Sequence, residues 1–267
     1  MRLGACIDTL YTHLPWYDRF DAAKSDGFDA VEFWDWRNID ISRAARRAKD
    51  AGILISGFNG DADFSPVDPS HKAAYLDYLT QSIRVAQQLN APSVTIHSNA
   101  LGEGGIVVNA YDDLSATTKL CAMMDTLAAA AKIAEREGIQ LNLEALNIHT
   151  DHVGNFLAHT QMAAEICRII HSPNLKILYD IYHMQINEGN LCANIQQYGD
   201  VFGHVHIADA PGRHEPGTGE IHYVNVLQCL CRQGYKGVVG CELFPKEDTE
   251  TAVQAIMALK SQVESAG

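Results

Sequence analysis

Five times in this chain a helix-like segment stops at a glycine and a short apolar strand follows almost at once. The strands read FDAVEFW after Gly27, ILISGFN after Gly52, IQLNLEAL after Gly138, DVFGHVHIA after Gly199 and YKGVVGCELF after Gly234. Glycine just past a helix end suits a left-handed cap. Two further joints use Asn or Pro in the same place, LNAPSVTIHSN near Asn90 and HSPNLKILYDIYH near Pro173; with the opening RLGACID the strands number eight. Each is apolar at nearly every position until its last residues, as a parallel strand covered on both faces requires. Between them, YLDYLTQSIRVAQQL and LAAAAKIAERE carry helical apolar spacing, and Asp68 before Pro69, Asp112, Thr160 and Thr249 offer N-caps. Eight alternations in 267 residues predict an α/β fold, a (β/α)8 barrel forming a single domain over residues 1–267. An open doubly wound sheet would carry a glycine-rich turn after its first strand, and RLGACIDTLYTH has none.

A barrel of this kind keeps its chemistry at the C-terminal ends of its strands. Those ends carry Asp8, Glu32 with Trp34, Asn59, His97 with Asn99, Glu144 with Asn147, Asp180 with His183, His206 with Asp209, and Glu242. Any one of them can be read as a loop cap. The second-half residues Glu144, Asp180, His206 and Glu242 are different, because each sits among apolar neighbours where an unpaired charge is costly. Three carboxylates and an imidazole from consecutive strands make a hard oxygen-rich donor set suited to Mg²⁺, Mn²⁺, Co²⁺ or Zn²⁺. Buried ion pairs with Arg or Lys are the competing explanation. His204 and His206 project the same way along their strand. His206 is preferred as the donor because it lies nearer the strand end, with His204 packed lower on a hydrogen bond.

The formal net charge of −13 argues against a nucleic-acid partner, which needs a clustered basic surface. The start MRLGACIDTLY lacks the apolar core of a signal peptide, and no apolar run of about 20 residues could span a bilayer. Seven scattered cysteines, several in apolar runs, fit buried reduced thiols and a cytoplasmic location.

NLEALN (142–147), PNLKILYDIYHMQINEGNL (173–191), GHVHIADAPGRHEPGTGEIHY (203–223) and GYKGVVGCELFP (234–245) together resemble the hydroxypyruvate isomerase branch of the xylose isomerase-like, or endonuclease IV-like, TIM barrel superfamily. The first half resembles it only generically, through GFDAVEFW. The resemblance implies a divalent-metal enzyme that isomerises or epimerises small hydroxy-carbonyl compounds, with ligands at Glu144, Asp180, His206 and Glu242. It also implies a small-molecule sugar or keto-acid substrate and a homodimer or homotetramer. The third ligand is Gln in hydroxypyruvate isomerases and His in ketose 3-epimerases, so this chain carries the epimerase choice. After NLEALN the isomerases continue with an Arg-containing turn, whereas here IHTDHVGNFL offers His149 and His152.

Isomerising a 2-hydroxy ketone or aldehyde means removing a proton beside a carbonyl and stabilising an enediolate, the task of a Lewis-acid metal and a pair of proton-transfer groups. Glu144 and Glu242 are the expected pair. His183, Arg213 and His97 are the expected substrate contacts, Arg213 as a fork for a hydroxyl, carboxylate or phosphate. An ion pair of Arg213 with Glu215 or Glu220 is the alternative, and His214 and Glu215 are read as shaping the loop. Trp34, Trp36, Phe58 and Phe64 are candidate pocket walls, with core packing or an oligomer contact as equal alternatives. The expected activity is therefore a sugar or keto-acid isomerase using one divalent ion, Mn²⁺ or Mg²⁺ foremost. A ketose 3-epimerase, a decarboxylase or aldolase of a sugar acid, a nuclease and a non-catalytic barrel subunit are the alternatives.

Overall fold

The computed structural model describes residues 1–265. Its strands are β1 (Arg2–Cys6), β2 (Ala30–Phe33), β3 (Leu54–Phe58), β4 (Ser93–Ile96), β5 (Gln140–Glu144), β6 (Leu175–Asp180), β7 (Phe202–Ile207) and β8 (Val238–Cys241). Its helices are α1 (Arg19–Ser25), α2 (Ile41–Ala51), α3 (Lys72–Leu89), α4 (Ala116–Glu137), α5 (Thr160–Ile170), α6 (Ile181–Asn187), α7 (Leu191–Tyr198), α8 (Tyr223–Arg232) and α9 (Thr249–Ser265). All strand pairs are parallel, in the order β3-β2-β1-β8-β7-β6-β5-β4. The last edge, β3 against β4, is closed by an isolated bridge of Asn59 with Thr95, by Gly60 N donating to Thr95 O at 2.7 Å, and by Ser93 Oγ donating to Ser56 O. Gly57 permits that approach, since a Cβ there would stand 3.0 Å from the Ser93 carbonyl oxygen. The eight strands form the expected (β/α)8 barrel.

The glycine joints behave as expected at Gly27, Gly52, Gly138 and Gly234, all with positive φ. Gly199 does not: its φ is −60°, and it opens a short 3-10 turn into β7 instead of ending α7 in the left-handed region. At the β4 joint Asn90 takes the left-handed cap, but before β6 His171 takes it two residues ahead of Pro173. Three expected N-caps move by a residue or more. Ser115, not Asp112, caps α4, its side chain accepting from Thr118 N. His159 precedes Thr160, whose hydroxyl donates to Glu188; Asp248 accepts from Thr251 N, while Thr249 donates to the Leu10 carbonyl. Asp68 keeps its role, accepting from Ser70 N ahead of Pro69.

Apolar strand residues such as Leu3, Val31, Ile55, Val94, Leu143, Val205 and Val239 are buried. The other face of β2, β5, β7 and β8 points a polar set into the barrel. Alternation alone sends Glu32, Asn142, Glu144, His204, His206 and Glu242 inward, and all six are buried. Among the described residues no helix is long and apolar enough to cross a membrane.

Candidate active site

The register of β6, β7 and β8 brings Asp180 level with His206, and His206 level with Gly240. Glu144 and Asp180 are the last residues of β5 and β6, His206 is one residue before the end of β7 and Glu242 directly follows β8, so the four converge at the C-terminal mouth, none more than 8% exposed. Asp180, His206 and Glu242 each offer a donor atom within 4.8 Å of the others, as do Glu144, Asp180 and His183. Two unit charges at about 4–5 Å repel by roughly 3–4 kcal/mol even at an effective dielectric near 20, so this carboxylate cluster is costly without compensating positive charge, part of which Arg213 supplies.

Asp180 is divided between two tasks. Its Oδ1 accepts from Tyr182 N and His183 N, capping α6, and its Oδ2 faces His183 Nε2 at 3.5 Å and His206 Nδ1 at 3.9 Å. Burial, with Glu144 and Glu242 reinforcing it against Arg213, pushes its carboxyl up to about 7. Glu242 moves the other way. Burial raises it, but Arg213, His206 and the Trp34 indole, which donates to Oε1, hold it well below the usual carboxylate range.

The partner of Arg213 is Glu242, through Nη2 and Oε2; Asp180 Oδ2 lies 3.9 Å away. The expected alternatives, Glu215 and Glu220, pair elsewhere: Glu215 accepts from Lys246 N and Glu220 from Gln185 Nε2. The Arg213 backbone is fixed in the left-handed region at φ 58° by Asp209 O below and Phe244 N above. His214 Nδ1 donates to Phe244 O, so His214 and Glu215 shape the loop as read from the sequence. Asp209 does more than that reading gave it. Fully buried, it accepts from Ala210 N, Gly217 N and Ile221 N and so anchors the whole loop.

His97 sits between two carboxylates. Its Nδ1 donates to Asp61 Oδ1 at 2.9 Å and its Nε2 to Glu144 Oε2 at 3.2 Å, and these partners, outweighing burial, raise the imidazole to about 10. Both ring nitrogens are thus engaged within the protein, and His97, expected as a substrate contact, lines the cleft while orienting Glu144. Asp61 was not singled out in the sequence; the acidic run NGDADF after β3 was its signal. His183, wholly buried, accepts from Asn147 Nδ2 on Nδ1, which turns Nε2 toward Asp180 and Arg213. Burial first, then Arg213, keeps it neutral, its pKa well below the ordinary histidine value.

Beneath the mouth lies a second layer. His204 Nε2 donates to Glu32 Oε2 at 2.8 Å, with Ser56 Oγ on the same oxygen, and His206 Nε2 stands 3.1 Å from Glu32 Oε1. Burial raises Glu32, but His206 and His204 outweigh it and keep the group ionised. Gly240 makes the layer possible, because a Cβ there would lie 2.1 Å from Glu32 Oε1.

A cleft of about 1000 Å³ opens over the cluster, lined by Trp34, His97, Glu144, His152, Tyr182, His183, Arg213, Glu242 and Phe244 among others. Of the four aromatics expected to wall it, Trp34 does. Phe58 stacks on Phe33, Trp36 donates to Ser82 Oγ, and Phe64 packs on His71. The rim is acidic, with Asp35, Asp61, Asp63, Glu103 and Asp151. Its exposed cation, Arg37, is bound to Asp35 and Asp63.

Fold and site together define a (β/α)8 barrel whose polar cluster is delivered by strands 5 to 8 to the catalytic end of the fold. The family model described as xylose isomerase-like TIM barrel matches residues 20–262, and the chain belongs to that family. It is 31% identical to hydroxypyruvate isomerase of Escherichia coli (strain K12), over 95% of this chain and 97% of that protein. It is 32% identical to 2-oxo-tetronate isomerase of Pectobacterium atrosepticum, over 93% and 94%. Among solved structures, one titled AP endonuclease, family 2 from Brucella melitensis superposes with a TM-score of 0.88 at 26% identity, covering 96% of this chain and 98% of that one. The structure of L-ribulose 3-epimerase shares the fold, with a TM-score of 0.83 at 23% identity over 99% and 95%.

Proposed function

We propose that this chain is a divalent-metal-dependent isomerase of small sugars or keto-acids, of the hydroxypyruvate isomerase kind, with Glu144, Asp180, His206 and Glu242 as the metal ligands. The observation that carries the reading is a pair of orphaned donor atoms. Glu144 Oε1 and His206 Nδ1 are buried with no hydrogen-bond partner, and both belong to the cluster at the mouth. Glu32, Asp61, Glu144, Asp180 and Glu242 gather five acidic groups, against which Arg213 and the His97 imidazolium set two positive charges. His206 also draws a proton: burial opposes it, but Glu32 and Glu242 raise its pKa well above the ordinary histidine value. A site that recruits positive charge this strongly fits a divalent ion, and three oxygens with one nitrogen suit Mg²⁺, Mn²⁺, Co²⁺ or Zn²⁺.

When bound, the ion supplies the Lewis acid that polarises the substrate carbonyl. The rest falls to the side chains. Glu144 and Glu242 approach from β5 and β8 on either side of Asp180 and His206, so one takes the proton from the carbon beside the carbonyl and the other returns it. His97 holds Glu144 in place, and Trp34 and Arg213 hold Glu242. His183 and Arg213 bind the substrate oxygens, and Tyr182, His152 and Phe244 close the walls around them. The acidic rim favours a small solute over a phosphodiester backbone, which separates this reading from the endonuclease name among the structural neighbours.

Protein purified without chelator should contain about one divalent ion per chain and should isomerise members of a C3 to C6 panel of ketoses and keto-acids. NMR in D₂O would show deuterium entering the carbon skeleton, whereas a decarboxylase would lose a carbon. E144Q and E242Q should each lower kcat at least about 100-fold. Full turnover by either variant would refute the assignment, and a metal-free, inactive wild-type protein would point to a non-catalytic barrel.

A further inference from the structure

Away from the mouth, two thiols meet on the outer layer of the barrel. Cys192, near the start of α7, and Cys229, in α8, hold their sulfurs 2.7 Å apart, and neither is bonded. A disulfide bond is about 2.05 Å long, so the pair is a fraction of an ångström from bonding distance with both side chains already turned toward each other. Cys192 is half-buried and reachable from solvent, while Cys229 is buried beneath it. Arg232 Nη2 donates to Cys229 Sγ at 3.0 Å and holds that sulfur facing Cys192. Asn225 Nδ2 lies 3.6 Å from Cys192 Sγ and steadies its orientation.

We propose that Cys192 and Cys229 are a site of reversible oxidation, forming an intrachain disulfide between α7 and α8 by exchange with a low-molecular-weight disulfide. The Cys192 thiolate attacks one sulfur of the small disulfide, whose S–S bond breaks and releases one small thiolate. The Cys229 thiolate then attacks Cys192 Sγ, forming the intrachain bond and displacing the second small thiolate. The two protons of the protein thiols end on the two released small thiols, and two electrons pass from the cysteines to the small disulfide. Burial and the neighbouring Cys229 push the Cys192 thiol up to about 11, so exchange is slow at neutral pH. The bond encloses β7 and the loop after it, which places His206 and Arg213 inside the closed segment. Oxidation therefore stiffens the part of the chain that carries two residues of the mouth.

The test uses full-length protein incubated with excess oxidised glutathione at pH 8.5, alkylated, digested and mapped by non-reducing mass spectrometry. The expected product is a Cys192–Cys229 crosslinked peptide, with two of the seven thiols lost to titration in denaturant. Tm should rise by about 5 °C, and dithiothreitol should reverse the change. C229S should stop at a glutathione adduct on Cys192, and C192S should give no crosslink. Retention of all seven thiols, a stable glutathione adduct on wild-type Cys192, or a crosslink to Cys231 instead of Cys229 would each overturn the proposal. None of these outcomes depends on the metal or on turnover, so the proposal stands or falls apart from the isomerase reading.

Discussion

Glu32 does not reach the cleft, yet it sets the orientation of two histidines at once. A carboxylate only accepts, so the nitrogens that face it, Nε2 of His204 and Nε2 of His206, are the ones that carry protons. That leaves Nδ1 of His206 as the atom presented to Asp180 and Glu242. Partners of this kind behind a ligating imidazole commonly change metal affinity tenfold to a hundredfold. E32Q should accordingly bind Mn²⁺ about tenfold to a hundredfold more weakly by calorimetric titration, with an unchanged far-ultraviolet spectrum; wild-type affinity in the variant would remove Glu32 from the site. The sequence displayed Glu144, Asp180, His206 and Glu242 because each interrupts an apolar strand at its end. It also displayed Glu32 at the end of FDAVEF, but not its partners, since the pairing of a β2 residue with β7 is made by barrel closure across 172 positions of sequence. Asp61 was hidden for the same reason, its role being defined only by His97 on the next strand.

At the scale of elements, local chemistry located the helices and missed some of their first residues. Asp112 and Ser115 are both good cap residues, and the chain uses the later one because the turn around Tyr111, at φ 52°, delays the helix. The exposed Ser115 side chain satisfies a backbone N–H of the first turn of α4, so S115A should cost about 1 kcal/mol in urea unfolding. D112A should cost less than about 0.5 kcal/mol, as an exposed substitution without a cap bond does. Equal losses in the two variants would contradict this start of α4. The same competition explains Thr249, whose hydroxyl is drawn to Leu10 O while Asp248 accepts the helix N–H. The loop after β7 shows the opposite case. Its composition of Pro, Gly and charge marked it as a turn, but the anchor is the buried Asp209, which sequence offered only as one more polar strand end.

For the molecule as a whole, the mouth of the barrel trades stability for chemistry. The outer faces of the strands bury Leu, Val and Ile, whereas the inner faces hold carboxylates and imidazoles that burial penalises. Arg213, His97 and the protonated His206 compensate only part of that charge, so the metal-free barrel carries repulsion that a bound cation would remove. Asp180 isolates the effect, because its two oxygens serve different ends. In D180N the amide oxygen can still accept from Tyr182 N and His183 N and so cap α6, while the charge beside Glu144 and Glu242 is gone. Metal-free D180N should therefore be more stable than the metal-free wild type, by about 1–2 kcal/mol or roughly 3–6 °C in Tm. With divalent metal at about 100 times its dissociation constant the order should reverse. The wild type gains about 2.7 kcal/mol by linkage, and D180N, having lost a ligand, gains little. Scanning calorimetry of both proteins with Mn²⁺ and with chelator would show the crossing. If D180N were the less stable protein under both conditions, the carboxylate would be holding the fold together and the strained, cation-seeking mouth inferred for this barrel would be wrong.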